Sequence, residues 1–407
     1  MSIEIKQLQP LVKSYLKPGQ KFVSYECKSL LSTGENYGST MLSILIKISN
    51  EDGKEETIPC IGKTVPPSQF LWDFFNTKNT FKKEIAVYNT IVPELNKFGN
   101  ELGIDCLMDF FAKCAGARLS LDPKSEEVDA DAFIILENLK TQGYESCDRL
   151  IGFNEDCTKL LLGDLATMHA ATIAYRLAKP DEFKTKVLPH LKRQYAFDPP
   201  DDVINDIMKS WQKAAGKNPK CIPYLGKIEE AVRNIRYYLD NPPKGKDMFA
   251  TMTHNDYWVN NTLIKFVDGK PVKNAMVDFQ IMEFGSLAHD VIFFLYSSVE
   301  LSLLERKVDE FIQLYYEKFI QNLVRLKCDI IQYSYEAMLE EFALIANRAQ
   351  FTHILYMLTP ILTAKGKAAD LSDFGYSNFI LNEDLLHENY FKRLHYVVLD
   401  FVRKGWI

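Results

Sequence analysis

Met-Thr-His-Asn-Asp-Tyr-Trp-Val-Asn-Asn at residues 252–261 and Val-Asp-Phe-Gln at residues 277–280 are the two segments that decide the fold of this 407-residue chain. The residues between them are apolar or alternating on both sides of a Val-Asp-Gly-Lys turn at 267–270. This pattern predicts a β-hairpin. Because a hairpin brings its two outer ends together, we expect Asp256 and Asp278 to face one cleft.

The residue types in these segments suit phosphoryl transfer. Asp256 would accept or orient the proton of a substrate hydroxyl, while Asn261 and Asp278 would hold magnesium on a nucleotide. Magnesium prefers oxygen ligands, which carboxylate and amide side chains supply. An Asp followed five residues later by an Asn also occurs by chance in turns. The prediction therefore rests on the two segments together.

Two flanking features strengthen this interpretation. Asp290 follows Gly285 and Ser286 and opens an apolar run with helical spacing. His254 lies between a predicted strand and the acidic loop, where a histidine is more often a hydrogen-bonded spacer than a proton carrier. We interpret His254 as architectural.

The composition is that of an ordinary globular protein, with 47% hydrophobic and 25% charged residues. The formal net charge of -6 argues against a nucleic-acid or anionic-membrane partner, because those contacts need basic patches. The amino-terminal residues lack an apolar signal region, and no run is long enough to span a bilayer. The eight cysteines are scattered without zinc-like pairs. We expect a soluble, cytoplasmic monomer with reduced and mostly buried thiols.

The amino-terminal part is predicted to be β-rich. Residues 22–31 and 41–48 have strand character and flank Ser-Thr-Gly-Glu-Asn-Tyr-Gly-Ser at 32–39. Small residues there would let backbone N–H groups approach phosphates, although such glycines also occur in plain turns. Lys63 lies in the next apolar segment and would either contact nucleotide phosphates or extend from an edge strand. Glu84, on a predicted helix at 81–88, would pair with Lys63.

The carboxy-terminal part is predicted to be helical. Its core helices are expected at 156–178, 291–299, 305–326, 335–358 and 383–402. His169 lies on the first of these and is interpreted as structural. Residues 179–246 are polar and interrupted by prolines, with helices near 201–215 and 224–239. This region is interpreted as an insertion that supplies candidates for contacts with the acceptor.

The chain resembles the ecdysteroid kinase-like proteins of insects, which are related to the aminoglycoside and choline kinases within the protein-kinase-like fold. The resemblance lies in His254-Asn-Asp256 with Asn261, in Asp278-Phe-Gln280 and in Gly285-Ser-x-Ala-x-Asp290. It also covers Gly34-Glu-Asn-Tyr37 and residues 81–88. Asn255 departs from the family pattern, which more often has glycine at this position.

The resemblance implies an α+β, bilobal protein-kinase-like fold, with a small β-rich N-terminal lobe at 1–137 and a larger, mainly helical C-terminal lobe at 138–407. Nucleotide-binding residues are then expected at Gly34, Asn36, Tyr37, Gly38, Ser39, Lys63 and Glu84. The hinge between the lobes is placed at Glu137 and Leu139, where backbone groups would contact the adenine ring.

The implied activity is ATP-dependent phosphorylation of a hydroxyl on a small molecule, with ATP and Mg²⁺ as cofactors and an ecdysteroid or similar steroid alcohol as the acceptor. Residues and spacing alone predict a small-molecule kinase. Two enzyme alternatives stay open, namely a choline or amino-alcohol kinase and a kinase that detoxifies xenobiotic alcohols. A third alternative is a ligand-binding protein that has lost catalysis, and the intact set of acidic, amide and lysine residues argues against it.

Overall fold

The computed structural model describes residues 3–30, 39–193, 199–241, 245–367 and 375–407. The described chain has a β-rich amino-terminal part and a mainly helical carboxy-terminal part. This confirms the predicted α+β, bilobal architecture.

An antiparallel five-stranded sheet with the order β1-β2-β3-β5-β4 forms the core of the amino-terminal part. Its strands are β1 Lys21–Ser29, β2 Thr40–Ser49, β3 Glu55–Thr64, β4 Cys114–Arg118 and β5 Phe133–Glu137. Alternate residues of β2, from Leu42 to Ile48, are buried on one face, as the two-residue period of a strand requires. A Cβ on Gly62 of β3 would lie 2.8 Å from the ends of the Ile44 and Phe133 side chains, so a larger residue there would require both side chains to shift.

Short helices cover both faces of this sheet. They are α1 Leu8–Val12, α2 Gln69–Phe74, α3 Thr77–Ala86 and α4 Val92–Glu101, with a π turn at Val87–Ile91 between the last two. Leu8 and Val12 of α1 pack against one face with Ile46. Phe81 of α3 packs on the other face with Ile134. The helix predicted at 81–88 is thus present and begins earlier in the chain.

The carboxy-terminal part is mainly helical. Its helices are α5 Glu155–Ala178, α6 Pro180–Glu182, α7 Asp201–Ala215, α8 Leu225–Arg233, α9 Ile235–Asp240, α10 Ala288–Ser298, α11 Leu301–Arg325, α12 Tyr335–Ile345, α13 Phe351–Ile361 and α14 Asn389–Arg403. The longest of these, α5 and α11, are partly buried. Helix α5 packs along α11. The stripe predicted on α11, from Val308 to Leu323, is buried, and the period of 3.6 residues explains why those positions face the core.

Two predicted helices differ in detail. The helix expected at 224–239 is divided at Asn234 into α8 and α9. The helix expected at 335–358 is interrupted by a π turn at Ala346–Gln350, which joins α12 to α13. The sequence pattern predicts one continuous helix here and does not reveal the π turn, which is a single irregular turn within a helix.

Two small sheets frame residues 252–261 and 277–280. The strands are β6 Tyr144–Glu145, β7 Ala250–Thr253, β8 Thr262–Val267, β9 Lys270–Met276 and β10 Glu283–Ser286. Antiparallel pairing of β8 with β9 confirms the predicted hairpin. Strand β7 pairs with β10, so Thr253 lies opposite Glu283.

All eight cysteines lie in described parts of the chain and are free thiols, with Cys27, Cys60, Cys157 and Cys221 buried and Cys106 exposed. None of the described helices is both long enough and apolar enough to span a bilayer.

Candidate active site

The hairpin joins the two acidic segments at its open end, as predicted. The amide N–H of Val277 donates to the backbone oxygen of Asn261 at 3.1 Å. His254 Nε2–H donates to the carbonyl oxygen of Val277, also at 3.1 Å. These bonds place the segment ending in Asp278 directly against residues 254–261, which we call the Asp256 loop.

Asp290 anchors the start of the Asp256 loop. Its carboxylate accepts hydrogen bonds from the backbone N–H groups of His254 and Asn255, each at 2.7 Å. His169 Nε2 lies 3.1 Å from the same carboxylate, and His169 Nδ1 lies 2.7 Å from the hydroxyl of Tyr315. Burial alone would raise the pKa of Asp290, but the bond from His169 and the charges and N–H groups around it lower that pKa. The loop is therefore held by a buried anion.

The departure at Asn255 has a physical explanation. Asn255 has a φ of 61°, in the left-handed region where glycine is unstrained and asparagine is the best tolerated of the other residues. Its side-chain Nδ2 donates to the carbonyl oxygen of Ile281 at 3.2 Å. Asparagine thus adopts the conformation that a glycine would take and adds one bond to the segment after Asp278.

Asp256 is half-buried and is held by Asn261. The Nδ2 group of Asn261 donates to the backbone oxygen and to Oδ2 of Asp256, both at 2.8 Å. Burial, supported by the charge of Asp278, raises the pKa of Asp256 to about 7, although the bond from Asn261 opposes this rise. A carboxyl group with a pKa near neutrality is suited to general base catalysis.

Lys63 joins the two lobes. Its Nζ lies 2.6 Å from Oε2 of Glu84 on α3 and 2.9 Å from Oδ1 of Asp278. The predicted pairing of Lys63 with Glu84 is confirmed, and the direct contact with Asp278 was not predicted. Burial would lower the pKa of Lys63, but the two carboxylates outweigh it and raise that pKa. The lysine is therefore a fixed cation in the cleft.

Asn261 and Asp278 have groups that fit magnesium. The Nδ2 of Asn261 is bonded to Asp256, which leaves the amide Oδ1 as the group available for an ion. The Asp278 side chain is 36% exposed. Both ligands are oxygens, as magnesium requires. Among the described residues no group of three or more His, Cys, Asp or Glu side chains is arranged to bind a metal, so an ion here would depend on this Asp–Asn pair and the nucleotide.

The remaining predicted nucleotide contacts are less defined. Gly34, Asn36, Tyr37 and Gly38 lie outside the described residues. Ser39 is buried directly before β2, and its hydroxyl donates to the sulfur of Met41 at 3.9 Å. At the predicted hinge, the Glu137 carboxylate accepts from the N–H of Lys113 and from Gln142, and Leu139 is buried. Their contacts with adenine stay predictions.

The buried contact of His169 with Asp290, whose carboxylate holds the start of the Asp256 loop, was not predicted from the sequence. The prediction that His169 is a structural core residue is confirmed, since it is buried. The available signal was weak, because the partners of His169, Tyr315 and Asp290, are more than a hundred residues away in the chain.

Breaking the Lys63–Glu84 pair should destabilise the fold strongly and in a coupled manner. Lys63→Met leaves Glu84, whose side chain is 1% exposed, buried without its cation, at a cost of about 3 kcal/mol. The double variant Lys63→Met/Glu84→Leu should be more stable than the sum of the two single losses predicts. Urea unfolding of the four proteins measures this coupling.

The exposed cross-strand pair Lys47–Glu55, with 4.0 Å between charged atoms, is the matched control. Its cycle should give a coupling below about 0.5 kcal/mol. Additive losses at Lys63 and Glu84 would show that the two side chains do not interact in the folded protein.

A β-rich lobe and a helical lobe, with a buried Lys–Glu pair next to two acidic loops, define the class of kinase-like phosphotransferases. The sequence profile of the ecdysteroid kinase-like family matches residues 33–328. The chain belongs to the ecdysteroid kinase-like family. This membership confirms the family resemblance seen in the sequence.

Solved structures that are similar to this chain include the following, all at low sequence identity and with TM-scores below 0.5. An ethanolamine kinase from Plasmodium vivax is 10% identical, with 94% of this chain and 85% of that chain covered and a TM-score of 0.40. A spectinomycin phosphotransferase in complex with ADP and spectinomycin is 11% identical over the full length of both chains, with a TM-score of 0.45. An aminoglycoside phosphotransferase variant in complex with GDP is 11% identical, covers 98% and 99% of the two chains and has a TM-score of 0.42.

No curated protein sequence matches the chain. The class assignment therefore rests on the family match and on the geometry of this chain.

Proposed function

We propose that this protein is an ATP-dependent kinase that phosphorylates a hydroxyl group of a small molecule, with an ecdysteroid or a similar steroid alcohol as the acceptor. The observation that carries the proposal is the position of Lys63, which contacts Glu84 of one lobe and Asp278 of the other. A lysine fixed in this manner is what kinase-like proteins use to position nucleotide phosphates.

Each side chain of the site has a separate role in the proposed reaction. Lys63 binds phosphate oxygens, and Glu84 keeps its ammonium group in place. Asp256 orients the acceptor hydroxyl toward the terminal phosphate and accepts its proton, while Asn261 fixes the Asp256 carboxylate. Asp278 and Asn261 would hold magnesium, which when bound neutralises the charge on the transferred phosphoryl group.

The alternative of an inactive binding protein is disfavoured by the same contacts. Lys63, Glu84, Asp256, Asn261 and Asp278 are all present, and each is bonded or ion-paired to another member of the set. A chain that only bound a ligand would have no need to maintain this arrangement.

A panel of alcohols tests the proposal. The full-length protein is incubated with ATP, Mg²⁺ and, in separate reactions, an ecdysteroid, other hydroxylated steroids, plant and drug alcohols, and choline. We expect mass spectrometry to find one added phosphoryl group on a steroid alcohol and none in reactions without protein. If ATP binds but no alcohol is phosphorylated, the protein is not the proposed kinase.

We also propose that the protein acts as a cytoplasmic monomer. Light scattering of the purified protein should give a mass close to the 46.8 kDa of one chain. A mass equal to that of two or more chains would contradict the proposed monomeric state.

A further inference from the structure

Cys147 and Cys157 bring two thiols together shortly after the predicted hinge. Both are free cysteines, and the S–H group of Cys157 donates a hydrogen bond to the sulfur of Cys147. Cys157 is 2% exposed, whereas Cys147 is only partly buried. The pair therefore consists of one partly exposed thiol and one buried thiol.

Two successive turns of the chain fold Cys147 back against Cys157. In the first turn, the N–H of Gly152 donates to the carbonyl oxygen of Asp148 at 2.9 Å. Gly152 has a φ of 92°, and a Cβ there would lie 2.6 Å from the last backbone oxygen of α10, so this turn requires glycine. In the second turn, the side chain of Asn154 accepts from the N–H of Cys157 at 2.9 Å and caps the start of α5. The approach of the two thiols follows from the backbone between them.

Contacts with distant parts of the chain hold these turns in place. The carboxylate of Asp148 pairs with Lys365 at 2.7 Å. The N–H of Phe153 donates to the carbonyl oxygen of Ser298 at 2.8 Å, and the Phe153 side chain is buried. Because the segment between the two cysteines is fixed in this way, a covalent bond between their sulfur atoms would close a ring that the folded chain has already formed.

The hydrogen bond gives the two thiols different acidities. It lowers the pKa of Cys147, because an S–H donor stabilises the thiolate, although burial and the charge of Glu145 oppose this effect. The same bond, together with burial and the charge of Asp156, raises the pKa of Cys157. The thiolate is the reactive form of cysteine. Cys147 is therefore the more reactive thiol of the pair, and Cys157 stays protonated beside it.

This arrangement suits redox chemistry. A partly exposed cysteine with a lowered pKa next to a second cysteine is typical of a sensor thiol with its resolving thiol. Disulfides that form in reducing compartments are usually transient ones of this kind. A zinc ion would need further ligands, and within the described parts of the chain no group of three or more His, Cys, Asp or Glu side chains is arranged to bind a metal.

We propose that Cys147 and Cys157 form a reversible redox site, which a hydroperoxide converts into a disulfide. In the first step the Cys147 thiolate attacks one oxygen of the peroxide, so that an S–O bond forms, the O–O bond breaks and the leaving oxygen takes up a proton. In the second step the Cys157 sulfur attacks the Cys147 sulfur, an S–S bond forms, the S–O bond breaks, and the leaving hydroxyl departs as water with the Cys157 proton. The two cysteines lose two electrons, and the peroxide gains them.

The site borders the strand that supports the candidate active site. Cys147 follows β6, in which Tyr144 pairs with Lys265 of β8, and β8 begins directly after Asn261. A disulfide would restrain the chain between the hinge and α5, and a thiol reductant would release it. The inference goes beyond the proposed kinase function and does not depend on it, so its tests need neither an acceptor nor turnover.

Peptide mapping of the full-length protein is the first test. Trypsin cleaves after Arg149 and thereby separates the two cysteines into peptides 141–149 and 150–159. The reduced protein is treated with a small excess of hydrogen peroxide, its remaining thiols are alkylated, and it is digested without reductant. We expect mass spectrometry to find the two peptides joined in most molecules, with two hydrogens fewer than their sum, and separated again by dithiothreitol.

Two substitutions of Cys157 test the contact between the thiols. Cys157→Ser keeps a hydrogen-bond donor beside Cys147 but cannot form a disulfide, so a sulfenic acid should accumulate on Cys147 and be trapped by dimedone. Cys157→Ala also removes the donor, so alkylation of Cys147 at neutral pH should be about tenfold slower than in Cys157→Ser, because less of the thiol is ionised. Equal alkylation rates would contradict the contact. Circular dichroism checks folding, and the wild-type peptide map decides the case if either variant does not fold.

The exposed Cys106 is the matched control, and its peptide should stay alkylated at the same peroxide concentration. Oxidation of Cys147 to a sulfinic acid in the wild type without a joined peptide would overturn the proposal. So would joining of Cys106 to other cysteines as readily as Cys147 to Cys157, or a linkage that gel electrophoresis without reductant finds only between two chains.

Discussion

Asp278→Asn should abolish measurable phosphoryl transfer while the protein stays folded. The change removes the carboxylate that meets Lys63 at 2.9 Å and, in the proposed site, the charged ligand of magnesium. Loss of such a charge from a phosphoryl-transfer site is expected to lower turnover by about a thousandfold or more. Folding should survive, because the side chain is 36% exposed and asparagine tolerates the φ of 66° at this residue.

The control for this variant is Asp268→Asn. Asp268 also has a positive φ, of 50°, but it lies exposed in the hairpin turn, so the same chemical change there should leave turnover unaltered. Turnover is measured with the acceptor found in the alcohol panel, and folding by circular dichroism and thermal unfolding. Near-native phosphorylation by Asp278→Asn at ordinary magnesium concentrations would show that Asp278 is not a magnesium ligand.

Predictions from local pattern succeeded where one stretch of chain determines the structure. The hairpin between Asp256 and Asp278 follows from two apolar segments around an Asp-Gly turn. The buried stripe of α11 follows from helical spacing. The Lys63–Glu84 pair was also found, because a lysine on a strand followed by a helix with one inward acid leaves few other partners. In each case the pattern is local or joins successive elements.

The contacts that depend on distant parts of the chain could not be predicted in this way. Lys63 reaches Asp278 across 215 residues, and His169 reaches Asp290 across 121. The meeting of His289 with Gln350 depends on a π turn, for which the sequence has no clear signal. Such contacts follow from how the two lobes and the helices pack, and packing is set by the whole chain.

Two residues of the candidate active site have backbone angles in the left-handed region. Asn255 and Asp278 have φ values of 61° and 66°. The backbone N–H of Asn255 donates to Asp290, and the carboxylate of Asp278 contacts Lys63. Strained backbone of this kind costs about 1 kcal/mol or more and persists only where surrounding bonds enforce it. Here the bonds to Asp290 and Lys63 supply that enforcement. The departure from glycine at Asn255 is therefore compatible with the same loop geometry.

Asp256→Asn should lower kcat by about a hundredfold or more, the usual scale for loss of a general base. Asparagine keeps the shape of the side chain, and its amide oxygen can still accept the bond that Asn261 Nδ2 makes to Asp256 at 2.8 Å. The variant therefore removes charge and basicity with little change of structure. Since phosphoryl transfer is largely dissociative, part of the loss would come from poorer orientation of the hydroxyl rather than from slower proton removal.

Nucleotide affinity should hardly change in Asp256→Asn, because the contacts proposed for ATP lie at Lys63 and Asp278 rather than at Asp256. Kinetics with the true acceptor, beside calorimetry with ATP, separate the two effects. Asp164→Asn is the control for the loss of a buried carboxyl, since burial raises the pKa of Asp164 to about 7 as well, and this carboxyl lies on α5 and reaches the Asp256 loop through Asn274, which bonds Tyr257. Retained turnover in Asp256→Asn would exclude a catalytic base at this position. Lost ATP binding would instead assign Asp256 to the metal site, because only a group that holds the nucleotide through its ion would affect affinity and turnover together.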